Sequence, residues 1–256
     1  MSEALAGVVL AAGLGTRLRP LTTLRPKALC PLGDATLLDH ALDRLAGAGL
    51  RGPAAVAVNA HHRAADVVAA VADRATMSVE PELLGSAGAI GALAGWLGAR
   101  PALVTNADAY LAGTIEHLLT GWDGVTLRLL VTPSTTRGDF GPWRFAGCSL
   151  LPARLHSRFG PRPSGLYEMC WRAEVASGRA ELVPYEGVFF DCGTPADYLA
   201  ANLHQSGGRT VVGARSVVAG TTQRCVVWPD SVVGPDEHLV EVVRAGPFTV
   251  DAARTR

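Results

Sequence analysis

The chain has 256 residues, which fits one large domain or a main domain with a small appendage. Apolar residues make up 48% and charged residues 18%, a balance that excludes a disordered chain. The formal net charge of zero argues against broad binding to nucleic acid or to an anionic membrane.

Residues 6–12 (AGVVLAA) form a short apolar run, as expected of a strand buried on both faces in a parallel sheet. After a glycine-containing loop, residues 36–48 carry Leu37, Leu38, Ala41, Leu42 and Leu45 at helical spacing. Residues 54–58 read as a strand, 64–72 as a helix, and 77–80 as a short strand. Residues 86–97 read as a glycine-rich helix, 101–105 as a third apolar strand, 115–119 as a helix and 125–132 as a strand. This alternation predicts an α/β fold with a doubly wound, Rossmann-like sheet, whose ligands sit beyond the carboxyl ends of the strands. Residues 133–165, rich in Pro, Gly and Arg, give no clean element. A helix is expected over 168–176 and an apolar strand over 188–190, ending at Asp191. Another helix is expected over 195–203, with Thr194 as N-cap and Pro195 at its first position.

The C-terminal part changes character. Val212, Val218, Val227, Val233 and Leu239 recur in steps of six with one three-residue slip, and small residues (Gly213, Ala219, Gly234) follow several of them. That pattern predicts a short left-handed β-helix of hexapeptide repeats. The expected division is a main domain over 1–204, a repeat segment over 209–244 and a tail over 245–256. So short a stub cannot bury its own core, so it either caps the main domain or joins a second subunit as a homo-oligomer contact.

Five cysteines, with no CxxC pair, read as reduced thiols of a cytoplasmic protein. There is no apolar run of about 18 residues and no signal-peptide pattern, so neither a membrane span nor secretion is expected.

Chemistry concentrates in the loop that leaves the first strand: Leu10, Ala11, Ala12, Gly13, Leu14, Gly15, Thr16 and Arg17. Its glycines let backbone N–H groups approach an anion, Thr16 adds a hydroxyl, and Arg17 and Arg19 add charge suited to phosphate oxygens. The loop lacks the GK[ST] of a Walker A motif, and Leu18 stands where a dinucleotide fingerprint needs its third glycine. Ten residues after Arg17, in Arg25-Pro26-Lys27, comes Lys27, the only lysine among 23 basic residues.

The GxGTRxxP loop followed by this PK resembles the signature of the sugar-1-phosphate nucleotidylyltransferases. Three further segments resemble that family in order. Residues 80–89 (EPELLGSAGA) are similar to its base-contacting segment, Asn106-Ala107-Asp108 to its NGD, and residues 191–198 (DCGTPADY) to its D-x-G-T-P-x-D-Y. Within the family the likeness is nearest to mannose-1-phosphate guanylyltransferases and N-acetylmuramate-1-phosphate uridylyltransferases.

The resemblance implies an enzyme joining an NTP and a sugar 1-phosphate by Mg²⁺-dependent, in-line attack on the α-phosphorus. Asp108 and Asp191 would be the metal ligands, Arg17 would steady the triphosphate, and Lys27 would lie near the α-phosphate. Glu80, Gly85 and Ser86 would belong to the base site, with Glu80 accepting from base N–H groups of guanine or uracil. Asp108 and Asp191 each follow an expected strand, so both can meet at the carboxyl edge of the sheet, in a donor set suited to Mg²⁺. The chain departs from the family in lacking the lysine of a Glu-Lys-Pro hairpin that grips the sugar phosphate, and residues 138–147 leave little room for that hairpin. Either Arg144 or Arg137 substitutes or the pocket is rebuilt; Gly147, Glu168 and Trp171 are further candidates for its edge. The lost hairpin also raises an alternative, a catalytically inactive subunit that senses nucleotide sugars. The NGD reads NAD here, and Ala107 is tolerated only if its φ is negative. His61 and His62 point apart and do not suggest a metal pair.

Overall fold

The computed structural model describes residues 4–252. In chain order the first half holds β1 (Ala6–Leu10), α1 (Leu21–Leu24), the small hairpin β2 (Pro31–Leu32) and β3 (Ala35–Thr36), α2 (Leu37–Gly47), β4 (Val56–Ala60), α3 (Ala64–Val71) and β5 (Thr76–Val79). It continues with α4 (Gly85–Ala92), α5 (Ala94–Leu97), β6 (Ala102–Asn106), β7 (Ala109–Ala112) and α6 (Glu116–Leu119). Then come β8 (Leu127–Gly138), β9 (Gly141–Leu151), α7 (Ala153–His156), α8 (Arg172–Ala176), β10 (Ala180–Pro184), β11 (Val188–Asp191) and α9 (Pro195–Gln205).

A seven-stranded mixed sheet runs in the order β10-β8-β9-β6-β1-β4-β5. β1 is parallel to both β4 and β6, and β9 is the antiparallel strand between β6 and β8. The doubly wound architecture is as expected. β1 is almost wholly apolar because α2 covers one of its faces and α4 the other. Gly7 lets α2 come close: a Cβ there would stand 2.9 Å from Leu45 Cδ1. α2 starts at a capping box, in which Thr36 Oγ1 accepts from Asp39 N–H while the Asp39 carboxylate accepts from Thr36 N–H. It buries the five residues that its periodicity predicts.

Four expectations are corrected. Residues 133–165 are not structureless: β8 extends to Gly138 and returns as β9, so a long hairpin stands where little room was expected. Two register shifts and a solvent-exposed outer half blur the alternation that would have announced it. The helix expected over 86–97 breaks at Leu93. The one expected over 168–176 opens with a π turn, Tyr167–Trp171. And β11 does not end at the main sheet; it pairs antiparallel with β7 in a separate ribbon.

The C-terminal stub follows as β12 (Val211–Val212), β13 (Val217–Val218), β14 (Thr221–Gln223), β15 (Val226–Val227), β16 (Val232–Val233), β17 (His238–Val240), β18 (Val242–Ala245) and β19 (Phe248–Asp251). Parallel ladders β12-β15-β18, β13-β16 and β14-β17 form the faces of a coil. Thr222 pairs with Leu239 and so occupies the face where the valine repeat slips. Gly213 is small because the next coil's Pro229 passes against it. The expected tail from 245 is in part a strand, since β19 folds back antiparallel on β18; residues 253–256 lie outside the described residues. The stub caps the main domain. Val226, Trp228, Val243 and Val250 share one apolar cluster with Leu18, Leu21, Tyr198 and Leu199. Trp228 Nε1–H donates to Tyr198 Oη at 2.9 Å. Among the described residues, no helix is long and apolar enough to cross a membrane.

Candidate active site

Two clefts open at the carboxyl ends of β1 and β6 and meet at Asn106 and Asp108. The first, about 290 Å³, is lined by Leu10, Ala11, Ala12, Gly13, Gly85 and Ser86, all expected, together with Lys27 and Asn59. Gly13 lines it although a Cβ there would meet no protein atom within 4 Å, so the neighbouring protein does not require the glycine. Gly15 is different: its φ of +61° and its contact with Thr22 demand glycine and set the turn into Thr16–Leu18. Leu18 is buried beneath, while the Arg17 side chain stays 65% exposed toward the second cleft.

Lys27 is the centre of the charge arrangement. Its side chain is only 10% exposed, its Nζ donates to Asp108 Oδ2, and it lies 3.8 Å from Asp191 Oδ1. Arg17 Nη2 stands 3.6 Å from Asp191 Oδ2. The two aspartates therefore converge on one buried ammonium. The β7–β11 ribbon brings them together, pairing Asp191 with Ala109, and Cys192 N–H donates to the Asp108 carbonyl at 3.0 Å. Ala107 is absent from the residues with positive φ, which is why alanine is accepted in the NAD sequence. Arg44 braces this corner from α2, with Nη1 on Thr105 Oγ1 at 2.7 Å and Nη2 on the Ala109 carbonyl at 2.6 Å. Burial pushes the Cys192 thiol up from its ordinary range, in keeping with a core residue and not a nucleophile.

Two carboxylates with no histidine or cysteine between them are hard oxygen donors. Among the described residues, no group of three or more His, Cys, Asp or Glu could hold a metal. Two carboxylates of this kind could hold a hard ion such as Mg²⁺, which completes its shell with substrate phosphates and water.

Glu80 is a correction. It is 3% exposed, and both of its carboxylate oxygens are engaged within the protein. Oε1 accepts from Asn59 Nδ2 at 2.7 Å and Oε2 from Leu84 N–H at 3.1 Å. Asn59 Oδ1 in turn accepts from Ala11 N–H at 2.6 Å. Glu80 thus ties the loop after β1 to the start of α4 and holds Asn59 at the cleft, without lining the cleft itself. The likeness of residues 80–89 to the family's base-contacting segment pointed to Glu80, but the missed residue is Asn59, whose signal was a polar side chain closing the apolar run VAV. Gly85 has a φ of +69°, and its Cβ would stand 2.6 Å from the Ser164 carbonyl, so the chain at 160–164 lies directly over the start of α4.

The second cleft, about 390 Å³, is lined by Arg17, Asp108, Asp139, Arg144, Gly147 and Asp191, among others. Arg144 lies over the Phe189 ring at 5.0 Å. Of the two arginines expected to replace the lysine, Arg144 and not Arg137 lines this cleft, beside Arg17. Gly147 has a φ of +80°, and any Cβ would collide with Ala109 Cβ. Glu168 and Trp171 line a third cavity that shares Asn106 with both clefts. His61 binds the Glu80 carbonyl through Nδ1 at 2.9 Å.

The nucleotidyl transferase family matches the chain over residues 6–131. The N-acetylmuramate alpha-1-phosphate uridylyltransferase of Caulobacter vibrioides is 29% identical over 231 residues, covering 76% of this chain and 94% of that protein. The mannose-1-phosphate guanyltransferase of Schizosaccharomyces pombe is also 29% identical over 231 residues, covering 75% of this chain but only 62% of that longer protein. A solved structure described as mannose-1-phosphate geranyltransferase, from Thermus thermophilus, superposes with a TM-score of 0.73 at 20% identity, covering 100% of this chain and 97% of that one. At that identity the superposition speaks for the fold.

Proposed function

The chain belongs to the sugar-1-phosphate nucleotidylyltransferases, and from that premise we propose that it joins GTP or UTP to a sugar 1-phosphate with the help of Mg²⁺ at Asp108 and Asp191. The nucleotide occupies the cleft of Gly13, Gly85 and Ser86, and the acceptor phosphate occupies that of Arg17 and Arg144. The reading rests on one observation above the rest: the two clefts meet at Asp108, which with Asp191 and Lys27 gathers opposite charges at their junction.

The acceptor phosphate needs no general base, because it is already an anion. One of its oxygens bonds to the α-phosphorus as the bond to the bridging oxygen breaks, and pyrophosphate leaves with that electron pair. Catalysis is then positioning and charge neutralisation. Backbone N–H groups of the loop after β1 hold the triphosphate, and Arg17 steadies the departing pyrophosphate. Lys27 places its ammonium against the α-phosphate charge, and Arg144 takes the acceptor phosphate where relatives use lysine. Mg²⁺, when bound, neutralises phosphate charge and fixes the two phosphates relative to each other. With Arg144 at the acceptor cleft, the missing second lysine no longer argues for a non-catalytic sensing role.

Pyrophosphate release measured across four NTPs and a panel of sugar 1-phosphates, with Mg²⁺ or with EDTA, tests this reading. Release confined to GTP or UTP with one sugar, and abolished by EDTA, is expected. Silence across the whole panel from a protein that still binds Mg²⁺ and NTP would overturn it.

A further inference from the structure

The chain changes sheets at the site. β6 lies in the main sheet between β9 and β1, whereas β7 pairs with β11 in the separate ribbon. Asn106 ends β6, and Ala107 and Asp108 link it to β7. This short link carries the polar groups at the junction of the clefts. Asn106 lines all three cavities around the site, and Asp108 lines both clefts. The two sheets share no ladder that fixes β7 against β6, so the link is placed by what bridges them. Two backbone bonds hold its middle, from Ala107 N–H to the Leu10 carbonyl and from Cys192 N–H to the Asp108 carbonyl, both 3.0 Å.

Arg44 bridges its ends. The residue stands half-buried in the last turn of α2. Its Nη1 donates to Thr105 Oγ1 on β6 at 2.7 Å, and its Nη2 donates to the Ala109 carbonyl on β7 at 2.6 Å. Thr105 is fully buried and Ala109 nearly so. Ala109 is also the register partner of Asp191, so the same bond touches the strand that brings the second carboxylate. The guanidinium approaches from behind. It lines a cavity of about 260 Å³ with His40, Asp43, Leu111 and Glu116, and that cavity shares no residue with either cleft. Although Asp43 and Glu116 stand on the same wall, Arg44 makes no ion pair among the described residues. An arginine kept for surface charge would pair with one of them; this one gives its donors to an uncharged hydroxyl and a carbonyl on either side of the link.

We propose that Arg44 is a positioning residue of the transfer reaction, an inference that rests on the transferase reading above. Without touching substrate, it locks the link so that Asn106 and Asp108 face the two phosphates together. The planar fork is what the task needs, because it holds two acceptors at a fixed separation, whereas a lysine ammonium is a single point on a flexible stem. A displacement of about 1 Å in such a link is enough to lower the rate steeply.

The test uses the intact chain with Arg44→Met, Arg44→Lys and Thr105→Val, the last keeping side-chain shape while removing one acceptor. Arg44→Met should lower kcat on the order of 10–100-fold and leave the KM for the NTP unchanged, since the base end of the nucleotide cleft keeps its contacts. Arg44→Lys should recover little of that loss, and Thr105→Val should fall between wild type and Arg44→Met. In Arg44→Ala, added methylguanidine should restore part of kcat through the rear cavity, and methylammonium should not. Mn²⁺ binding, read from its electron paramagnetic resonance signal without turnover, should weaken in Arg44→Met on the same order. Wild-type kcat in Arg44→Met, full recovery by Arg44→Lys, or equal rescue by both amines would overturn the inference while leaving the transferase standing. Should Arg44→Met fail to fold, unchanged kcat and Mn²⁺ affinity in Thr105→Val would overturn it equally. Silence of the wild type with every acceptor would overturn the transferase reading, whereas weakened Mn²⁺ binding in Arg44→Met would still uphold the placing of Asp108 by Arg44.

Discussion

Lys27 serves two carboxylates at once, and its replacement separates charge from packing. Lys27→Met leaves Asp108 and Asp191 facing each other without a resident cation. Turnover is expected to fall on the order of 10²–10³-fold, by analogy with the loss of one preorganised electrostatic partner. Lys27→Arg should recover little, because a planar fork cannot replace a compact ammonium in so small a space. Steady-state kinetics on the two variants checks this. Gly147→Ala should act on the same corner without touching charge. Its φ of +80° and the collision with Ala109 predict a stability loss on the order of 1–3 kcal/mol and a drop in kcat, read by thermal melting and turnover. Much of this corner was legible in the residues: Arg17, Lys27, Asp108 and Asp191 stand together as expected. Glu80 was legible as important but not in its role. A motif likeness over residues 80–89 reads the same whether its carboxylate faces a ligand or a buried asparagine. Glu80→Gln should therefore weaken nucleotide binding and stability together, with no change in which NTP is preferred.

Among the elements, the β7–β11 ribbon determines the site more than the main sheet does. Asp191 would sit apart from Asp108 if its strand had joined the sheet edge; the antiparallel register puts them side by side. Pairing of two four-residue strands distant in sequence leaves no periodic signal, so the separate ribbon was not legible, although the strand at 188–190 was. The capped helices α2 and α9 were legible because Thr36 and Thr194 carry local hydrogen-bonding logic. α7 offers a pH test. His156 is buried, and its Nε2 lies 2.8 Å from the Arg100 carbonyl. Burial holds its pKa below the ordinary 6.5 of the unfolded chain, outweighing that hydrogen bond. The unfolded chain then takes up the proton first as pH falls. His156 thus contributes its full stability above about pH 6.5 and progressively less below it. His156→Gln, which can keep the bond to Arg100, should flatten the fall in Tm below pH 6.5; an unchanged slope would assign that fall elsewhere.

At the scale of the whole molecule, the C-terminal coil is a buttress for the loop that carries Lys27. Trp228 lies under Arg25, whose guanidinium stands 4.7 Å from the ring, and Arg25 is two residues from Lys27. The same indole packs edge-on against Tyr198 of α9. Trp228→Ala should cost about 3–5 kcal/mol as a large buried deletion, and it should also lower kcat because the Lys27 loop loses its support. Removing residues 209–256 should expose Leu199 and Tyr198 and leave an aggregation-prone domain. The hexad repeat announced the coil, but not its docking on α9, since a buried face and a subunit interface have the same composition. The cysteine reading extends to a simple measurement. All five thiols are free and buried, so none should react with a thiol reagent in the native state and all five should react in denaturant.

The central claim is that Asp108 and Asp191 act as one metal-binding pair between the nucleotide and the sugar phosphate. The direct measurement is turnover as a function of Mg²⁺ concentration for the wild type, Asp108→Asn, Asp191→Asn and the double variant. The account predicts that each single substitution raises the Mg²⁺ requirement and cuts kcat at least about 10²-fold, and that the double variant is hardly worse than either single one, as for groups that act as a unit. Full turnover of Asp191→Asn at an unchanged Mg²⁺ requirement would contradict it.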